Sequence, residues 1–90
     1  MNLHEYNSKF TIKDIETKTD KNFNPYYLIH FENSNYKYGY AFRNNLDSET
    51  LKILDDAPYN FINRLVSITY QLNQTLTSTF FQVKEISLIN

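Results

Sequence analysis

The sequence predicts a mainly β domain of five strands and one short helix. Apolar and polar side chains alternate along most of the chain, and only one segment combines a helix-capping residue with a helical apolar pattern. The chain has 90 residues, which is the size of one small domain. Because it contains no Cys, we expect its core to be stable without disulfides or Cys-ligated metals.

The first predicted strand covers residues 9–18. It follows residues 1–8, which are polar and aperiodic and are expected to form a flexible N-terminal segment. Phe10, Ile12 and Ile15 are apolar, but the alternation slips by one position between Ile12 and Ile15. A β-bulge produces such a slip, because its extra residue re-aims the side chains that follow and bends the strand. The sequence therefore predicts a curved first strand.

The second and third predicted strands form a hairpin. After a polar loop over Lys18–Pro25, the segment Tyr26–Phe31 is aromatic and β-branched, which favours a buried strand. The polar segment Glu32–Asn35 then predicts a turn. Tyr36–Arg43 alternates throughout, with aromatic side chains at every second position, and is expected to pair with the strand before it.

The single helix is predicted to start at Ser48. Asp47 is a favourable N-cap residue, and Glu49 lies in the first turn, where the helix dipole favours an acid. Pro58 disfavours helical geometry in the residue before it, so the helix is expected to end near residues 55–56.

Two further strands are predicted after the helix. Arg64–Leu72 alternates between apolar and polar side chains, and Asn73–Ser78 is a polar turn. Thr79–Leu88 alternates again, with one slip near Lys84–Glu85.

This order of elements, β-β-β-α-β-β with a long bent first strand, resembles the OB-fold, a partly open five-stranded Greek-key barrel. The resemblance implies one OB-like domain over residues 9–90, with a ligand-binding face on the second and third strands. It also implies that the flanking loops, Lys18–Pro25 and Asn73–Ser78, contribute to that face. The same element order fits a strongly curved SH3-like barrel or another small curved-sheet α+β domain.

The sequence offers little for catalysis. Gly39 is the only glycine, so neither type of glycine-rich phosphate-binding loop can form. His4 and His30 are the only histidines and have no evident catalytic partners. Asp55 and Asp56 are adjacent on the helix, where neighbouring side chains point about 100° apart. We therefore expect a protein without enzymatic activity that uses no cofactor or metal.

Composition and the N-terminal residues predict the cellular location and the genomic source of the protein. There is no 18-residue apolar stretch, and the N-terminus lacks the basic and apolar regions of a secretion signal, so the sequence predicts a cytoplasmic protein without membrane contact. Asn, Lys, Ile, Tyr and Phe make up 42 of the 90 residues, and their codons are rich in A and T. This bias favours a gene from an AT-rich genome, such as that of a low-GC bacterium, its phages or its mobile elements.

The aromatic hairpin predicts binding of single-stranded nucleic acid, DNA or RNA. Aromatic side chains stack on bases, and cations follow the phosphate backbone. The residues expected to stack on bases are Tyr26, Tyr36, Tyr38 and Tyr40. We expect phosphate contacts from Lys21, Lys37 and Arg43 and a further polar contact from His30. The candidate residues are Lys21, Tyr26, His30, Tyr36, Lys37, Tyr38, Tyr40 and Arg43. Alternation alone leaves open whether the row Tyr36, Tyr38, Tyr40 and Phe42 faces solvent or fills the core.

A second function fits the same residues. The net charge is −1, with a net of +2 over residues 9–43 and −3 over residues 44–63, which gives only mild attraction for a polyanion. A nearly neutral, Tyr-rich surface is also typical of a protein–protein interface. The alternative prediction is a small protein-binding module, either an inhibitor of a host factor or an accessory subunit of a replication or defence-related enzyme.

Overall fold

A computed structural model describes residues 4–74 and 76–89. The elements are β1 (Glu5–Thr19), β2 (Pro25–Glu32), β3 (Tyr38–Phe42), α1 (Ser48–Asp56), β4 (Leu65–Gln74) and β5 (Thr79–Leu88), with 3-10 turns at Arg43–Asn45 and Pro58–Asn60. The five strands close into a barrel in the ring order β1-β2-β3-β5-β4, where β4 pairs with β1 and completes the ring. All neighbours are antiparallel except β3 and β5, which are parallel. The predicted mainly β fold, a small five-stranded barrel with one short helix, is confirmed.

Two strands differ in extent from the prediction. β1 begins at Glu5 instead of at residue 9, because residues 5–11 form a ladder with β4 that begins at the pair Glu5↔Gln71. The predicted flexible segment 1–8 therefore overlaps a paired strand over residues 5–8, while residues 1–3 lie outside the described part of the chain. β3 is shorter than predicted, because the turn after β2 extends to Lys37, whose carbonyl accepts a hydrogen bond from the backbone N–H of Phe31.

The predicted bulge in β1 is present, and the slip in alternation near Lys84–Glu85 is a bulge as well. In β1, Ile12 pairs with Phe31 and Asp14 pairs with His30, so Lys13 is the extra residue. At this bend β1 leaves β4 and continues along β2. In β5, Lys84 is the extra residue between the pairs Thr69↔Glu85 and Tyr70↔Val83. The bulges therefore bend the two strands where the barrel turns.

Helix α1 covers the free edge of β5. Only one pair, Tyr40↔Gln82, joins β3 to β5. Further along β5, the backbone N–H of Asp47 donates to the Lys84 carbonyl at 2.9 Å. The Thr50 hydroxyl accepts from the N–H of Ile86 at 3.0 Å and donates to its carbonyl at 3.4 Å. The start of the helix thus satisfies backbone groups of β5 that β3 does not reach.

The core fills the barrel interior and meets the helix at Leu54. Its rings pack closely: Phe10 and Phe31 stack with centroids 4.7 Å apart, and Tyr70 and Phe81 stack at 4.0 Å. None of the described helices is long and apolar enough to cross a membrane.

Gly39 is inward-facing and closely surrounded. A Cβ at this position would lie 2.7 Å from Cδ1 of Phe81, 3.0 Å from Cγ2 of Val83 and 3.2 Å from Cζ of Phe31. Glycine is therefore required by close packing of rings against the strand backbone, since any larger residue would displace them.

Replacing Thr50 by Val should lower the free energy of unfolding by about 1–3 kcal/mol, because it leaves both backbone groups of Ile86 buried without partners. Thr50→Ser is the matched control, since it keeps the hydroxyl and loses only a methyl group. Chemical denaturation of both variants measures the effect. A Val variant as stable as the wild type would show that the helix contributes nothing to β5 through this hydroxyl.

Gly39→Ala should destabilise the barrel by about 1–3 kcal/mol, because the added methyl group meets the Phe81 ring. In the background of Phe81→Leu the same substitution should be less destabilising, and a double-mutant cycle gives the coupling between the two positions. Equal costs in both backgrounds would mean that the Phe81 ring is not the obstacle.

Candidate functional site

The orientation of β3 is decided by its two smallest residues. Gly39 and Ala41 are buried on the inner side, and Ala41 is fully buried in the core cluster. Side chains alternate along a strand, so Tyr38, Tyr40 and Phe42 lie on the outer side. The aromatic row of β3 therefore lies on the outside of the barrel instead of filling it.

These rings form one continuous outer surface with neighbours on β2 and β5. We call it the aromatic face; it consists of Tyr26, His30, Tyr38, Tyr40, Phe42 and Phe80. Tyr40 is at its centre, with ring centroids 5.6 Å from Tyr38, 5.8 Å from Phe42 and 5.6 Å from Phe80. Tyr26 lies 6.0 Å from Tyr40, and His30 lies 6.2 Å from Tyr38. Edge-to-face and stacked contacts at these distances hold the rings in place.

The aromatic face is graded in exposure. Tyr38 is 41% exposed, whereas Tyr26, Tyr40 and Phe42 are half-buried. Partial burial raises the pKa of the Tyr40 hydroxyl, and its hydrogen bond with Tyr38 raises it further. Leu28, which lies opposite Tyr40, is buried but does not belong to the core cluster. The face thus has a small apolar base of its own outside the barrel.

Tyr36 does not continue the row. It lies in the turn before β3 and packs edge-to-face against Tyr70 and Phe81, with centroids 6.3 and 5.2 Å away. Strict alternation from Tyr36 onward predicted a common face with Tyr38 and Tyr40, and this part of the prediction is wrong. The turn breaks the alternation, so the ring of Tyr36 lies against the core.

The predicted cations differ in their availability. Arg43 forms a bidentate ion pair with Asp55 at the end of α1, and the Tyr27 hydroxyl donates to the same carboxylate. These hydrogen bonds, that of Arg43 foremost, hold the pKa of Asp55 below its ordinary value. Lys21 and Lys37 are exposed and belong to none of the ion pairs found among the described residues.

His30 is held at the edge of the aromatic face. Its Nε2 atom contacts a Glu16 carboxylate oxygen, and Lys18 approaches the other oxygen at 3.9 Å. His30 also lies opposite Tyr38 in the ladder. Glu16 and Lys18 both lie on β1, so this edge of the aromatic face carries a negative and a positive side chain instead of a set of cations.

Two grooves of about 330 and 310 Å³ lie at the two ends of the aromatic face. The first is lined by Asp20, Asn24, Pro25, Tyr26, Phe42, Arg43 and Asn44. The second is lined by Asn35, Tyr36, Lys37, Tyr38, Tyr40, Ser78, Thr79, Phe80 and Phe81. The loops β1–β2 and β4–β5, which the resemblance assigned to the binding face, therefore border it at opposite ends.

Sequence reasoning missed the contribution of β5. Phe80 and Gln82 lie on its outer side, because Phe81 and Val83 point into the core. Gln82 lies beside Tyr40, is only 8% exposed and accepts a hydrogen bond from the Asn73 amide. The sequence shows the alternation along β5, but only the closed ring of strands places β5 beside β3 and so brings Phe80 and Gln82 next to Tyr40.

Among the described residues, no group of three or more His, Asp or Glu side chains is arranged to hold a metal ion. Comparison with protein-family models, curated proteins and solved structures finds no match for this chain.

The Asp55 carboxyl should titrate below its ordinary value of 3.8, and Arg43→Gln should raise its pKa. The pKa of Asp55 is lower in the folded than in the unfolded protein, so the contact with Arg43 stabilises the fold at pH values above 3.8. This stabilisation is lost as the pH falls through the pKa that Asp55 has in the folded protein. Carboxyl NMR titration and acid unfolding of both proteins measure the two effects. An ordinary Asp55 pKa in the wild type would contradict the ion pair.

Proposed function

We propose that this protein binds single-stranded nucleic acid on the aromatic face, without catalysis and without a cofactor. One observation carries the proposal: Gly39 and Ala41 take the inner side of β3, so Tyr38, Tyr40 and Phe42 are presented outward as a row. Bases of any sequence stack on such rings.

The spacing of the rings supports this function. Consecutive outward positions on a strand are roughly 6–7 Å apart, so the row on β3 extends roughly 13 Å. Contacts between neighbouring rings hold their positions before a ligand arrives. Little side-chain freedom is then lost on binding, which favours affinity.

The charges around the aromatic face predict that affinity for nucleic acid depends only weakly on salt concentration. Lys37 borders the groove next to Phe80, and Lys21 lies in the loop at the opposite end of the face. Arg43 is bound to Asp55 and is expected to contribute little unless that pair opens. Two phosphate contacts correspond to a slope of roughly −1.4 when the logarithm of affinity is plotted against the logarithm of salt concentration.

A protein-binding module is the second candidate function, and one observation favours it. Asp55 neutralises Arg43, and Glu16 lies beside both His30 and Lys18, so acids offset the cations that border the aromatic face. Near-neutral aromatic surfaces serve as anchors in protein interfaces. An inhibitor of a host factor or an accessory subunit of a replication or defence-related enzyme would use the same residues.

The family, the cellular location and the genomic source of the protein are part of the same proposal. Kinship with OB-fold proteins is supported by the element order and by the ring order in which β3 and β5 are parallel neighbours. A cytoplasmic protein of a phage or mobile element is supported by the composition of the chain.

Fluorescence anisotropy of a labelled oligothymidine about 20 nucleotides long, titrated at two salt concentrations, tests the proposal. Tyr38→Ala and Tyr40→Ala should each weaken binding by about fivefold to 100-fold, because each removes a stacking platform. Tyr59→Ala is the matched control, since Tyr59 is 70% exposed, lies on the 3-10 turn after α1 and makes none of the ring contacts of the aromatic face.

Unchanged affinity in folded Tyr38 and Tyr40 variants would overturn nucleic-acid binding at this face. Absence of binding by the wild type at low salt would overturn it as well and would favour the protein-binding module. Circular dichroism of each variant checks that the barrel is retained.

A further inference from the structure

The turn between β1 and β2 holds a phenyl ring out in solvent. Phe23 is 86% exposed, and no ring contact is found for it among the described residues. Its backbone is in the left-handed region, with φ at 65°. Exposure of a single apolar side chain is common, but left-handed geometry for a bulky aromatic residue is an outlier.

The rest of the chain shows how unusual this choice of residue is. Three described non-glycine residues have positive φ, and the other two are Asn33 and Asn63. Asn tolerates this geometry better than other side chains with a Cβ. Phe23 is flanked by Asn22 and Asn24. From the other two positions with positive φ, we would expect Asn at position 23 as well, but the residue is Phe.

Asp20 fixes the turn in this geometry. Its carboxylate accepts hydrogen bonds from the backbone N–H groups of Asn22 and Asn24 at 2.8 and 2.9 Å. Its backbone carbonyl accepts from the N–H of Phe23, and its backbone N–H donates to the Asn24 carbonyl, both at 3.0 Å. The bond from Asn24 is the main cause of the lowered pKa of the Asp20 carboxyl. The unfavourable conformation of Phe23 is therefore imposed by a well-bonded turn.

The turn adjoins the aromatic face. The groove at this end is lined both by Asp20 and Asn24 of the turn and by Tyr26 and Phe42 of the face. A strand that lies along the face can leave it through this groove, next to the position of Phe23.

We propose that Phe23 is an additional stacking platform that holds a base of single-stranded nucleic acid where the strand leaves the aromatic face. This inference rests on the proposed function. Left-handed geometry destabilises the fold in the free and the bound protein alike, whereas a base stacked on the ring removes its exposure to water only on binding.

The surroundings of Phe23 favour a nucleobase over an apolar protein pocket. Lys21, Asn22 and Asn24, its neighbours in the turn, are exposed and polar. Lys21 is exposed, belongs to none of the ion pairs within residues 4–74 and 76–89, and lies two residues from Phe23. One ring with a nearby cation matches the combination of stacking and backbone contact that single strands require.

The test replaces Phe23 by Asn and by Tyr and measures stability and binding in parallel. Phe23→Asn removes the ring and suits the left-handed backbone, so Tm should rise by about 4 °C while affinity for a 20-nucleotide oligothymidine falls at least about fivefold. Phe23→Tyr keeps a stacking ring and should bind like the wild type. Tyr59→Ala again serves as the control for loss of an exposed ring elsewhere.

Oligothymidines of about 4 to 16 nucleotides localise the effect. The Asn variant should match the wild type on the shortest oligonucleotides, which the aromatic face alone can hold, and should lose affinity as length increases. Wild-type binding that is unaffected by Phe23→Asn at every length would overturn this inference and leave the proposed function standing. No wild-type binding at any length would overturn both. A uniform loss at all lengths would overturn the assignment to the exit of the strand.

Discussion

The free edge of β5 is the constraint on which the architecture depends. β3 has five residues and reaches β5 at a single pair, so the remaining backbone groups of β5 need other partners. Asp47 and Thr50 at the start of α1 supply them. The helix is therefore part of the closure of the barrel, which explains why it follows β3 after a single 3-10 turn and why residues at its start bond to β5 through both backbone and side chain.

The aromatic face is a consequence of how the interior is packed. Phe31 and Phe81 occupy the barrel next to β3, which leaves room there only for Gly39 and Ala41. Small residues on the inner side allow large rings on the outer side, since the two sides of a strand alternate. Interior volume and outer chemistry are thus coupled through one five-residue strand, and a substitution that alters one side affects the position of the other.

Features that depend on local sequence were predictable, whereas those that depend on long-range pairing were not. The bulges at Lys13 and Lys84 and the helix start at Ser48 follow from slips in alternation and from the cap at Asp47. The ion pair between Arg43 and Asp55 could not be predicted, because it joins the end of β3 to the end of the helix. Similarly, Tyr36 left its predicted row because the turn before β3 is longer than its polar residues indicated.

β1 pairs with both β2 and β4, and this affects the order in which the strands of the barrel assemble during folding. Its second half pairs with β2, which follows after a short turn, whereas its first half pairs with β4 across the length of the domain, as in Glu5↔Gln71. Contacts between residues close in sequence form with less loss of chain entropy than distant ones. We expect the three-stranded meander β1-β2-β3 to assemble early, with docking of β4 onto β1 as the slow event that limits the folding rate.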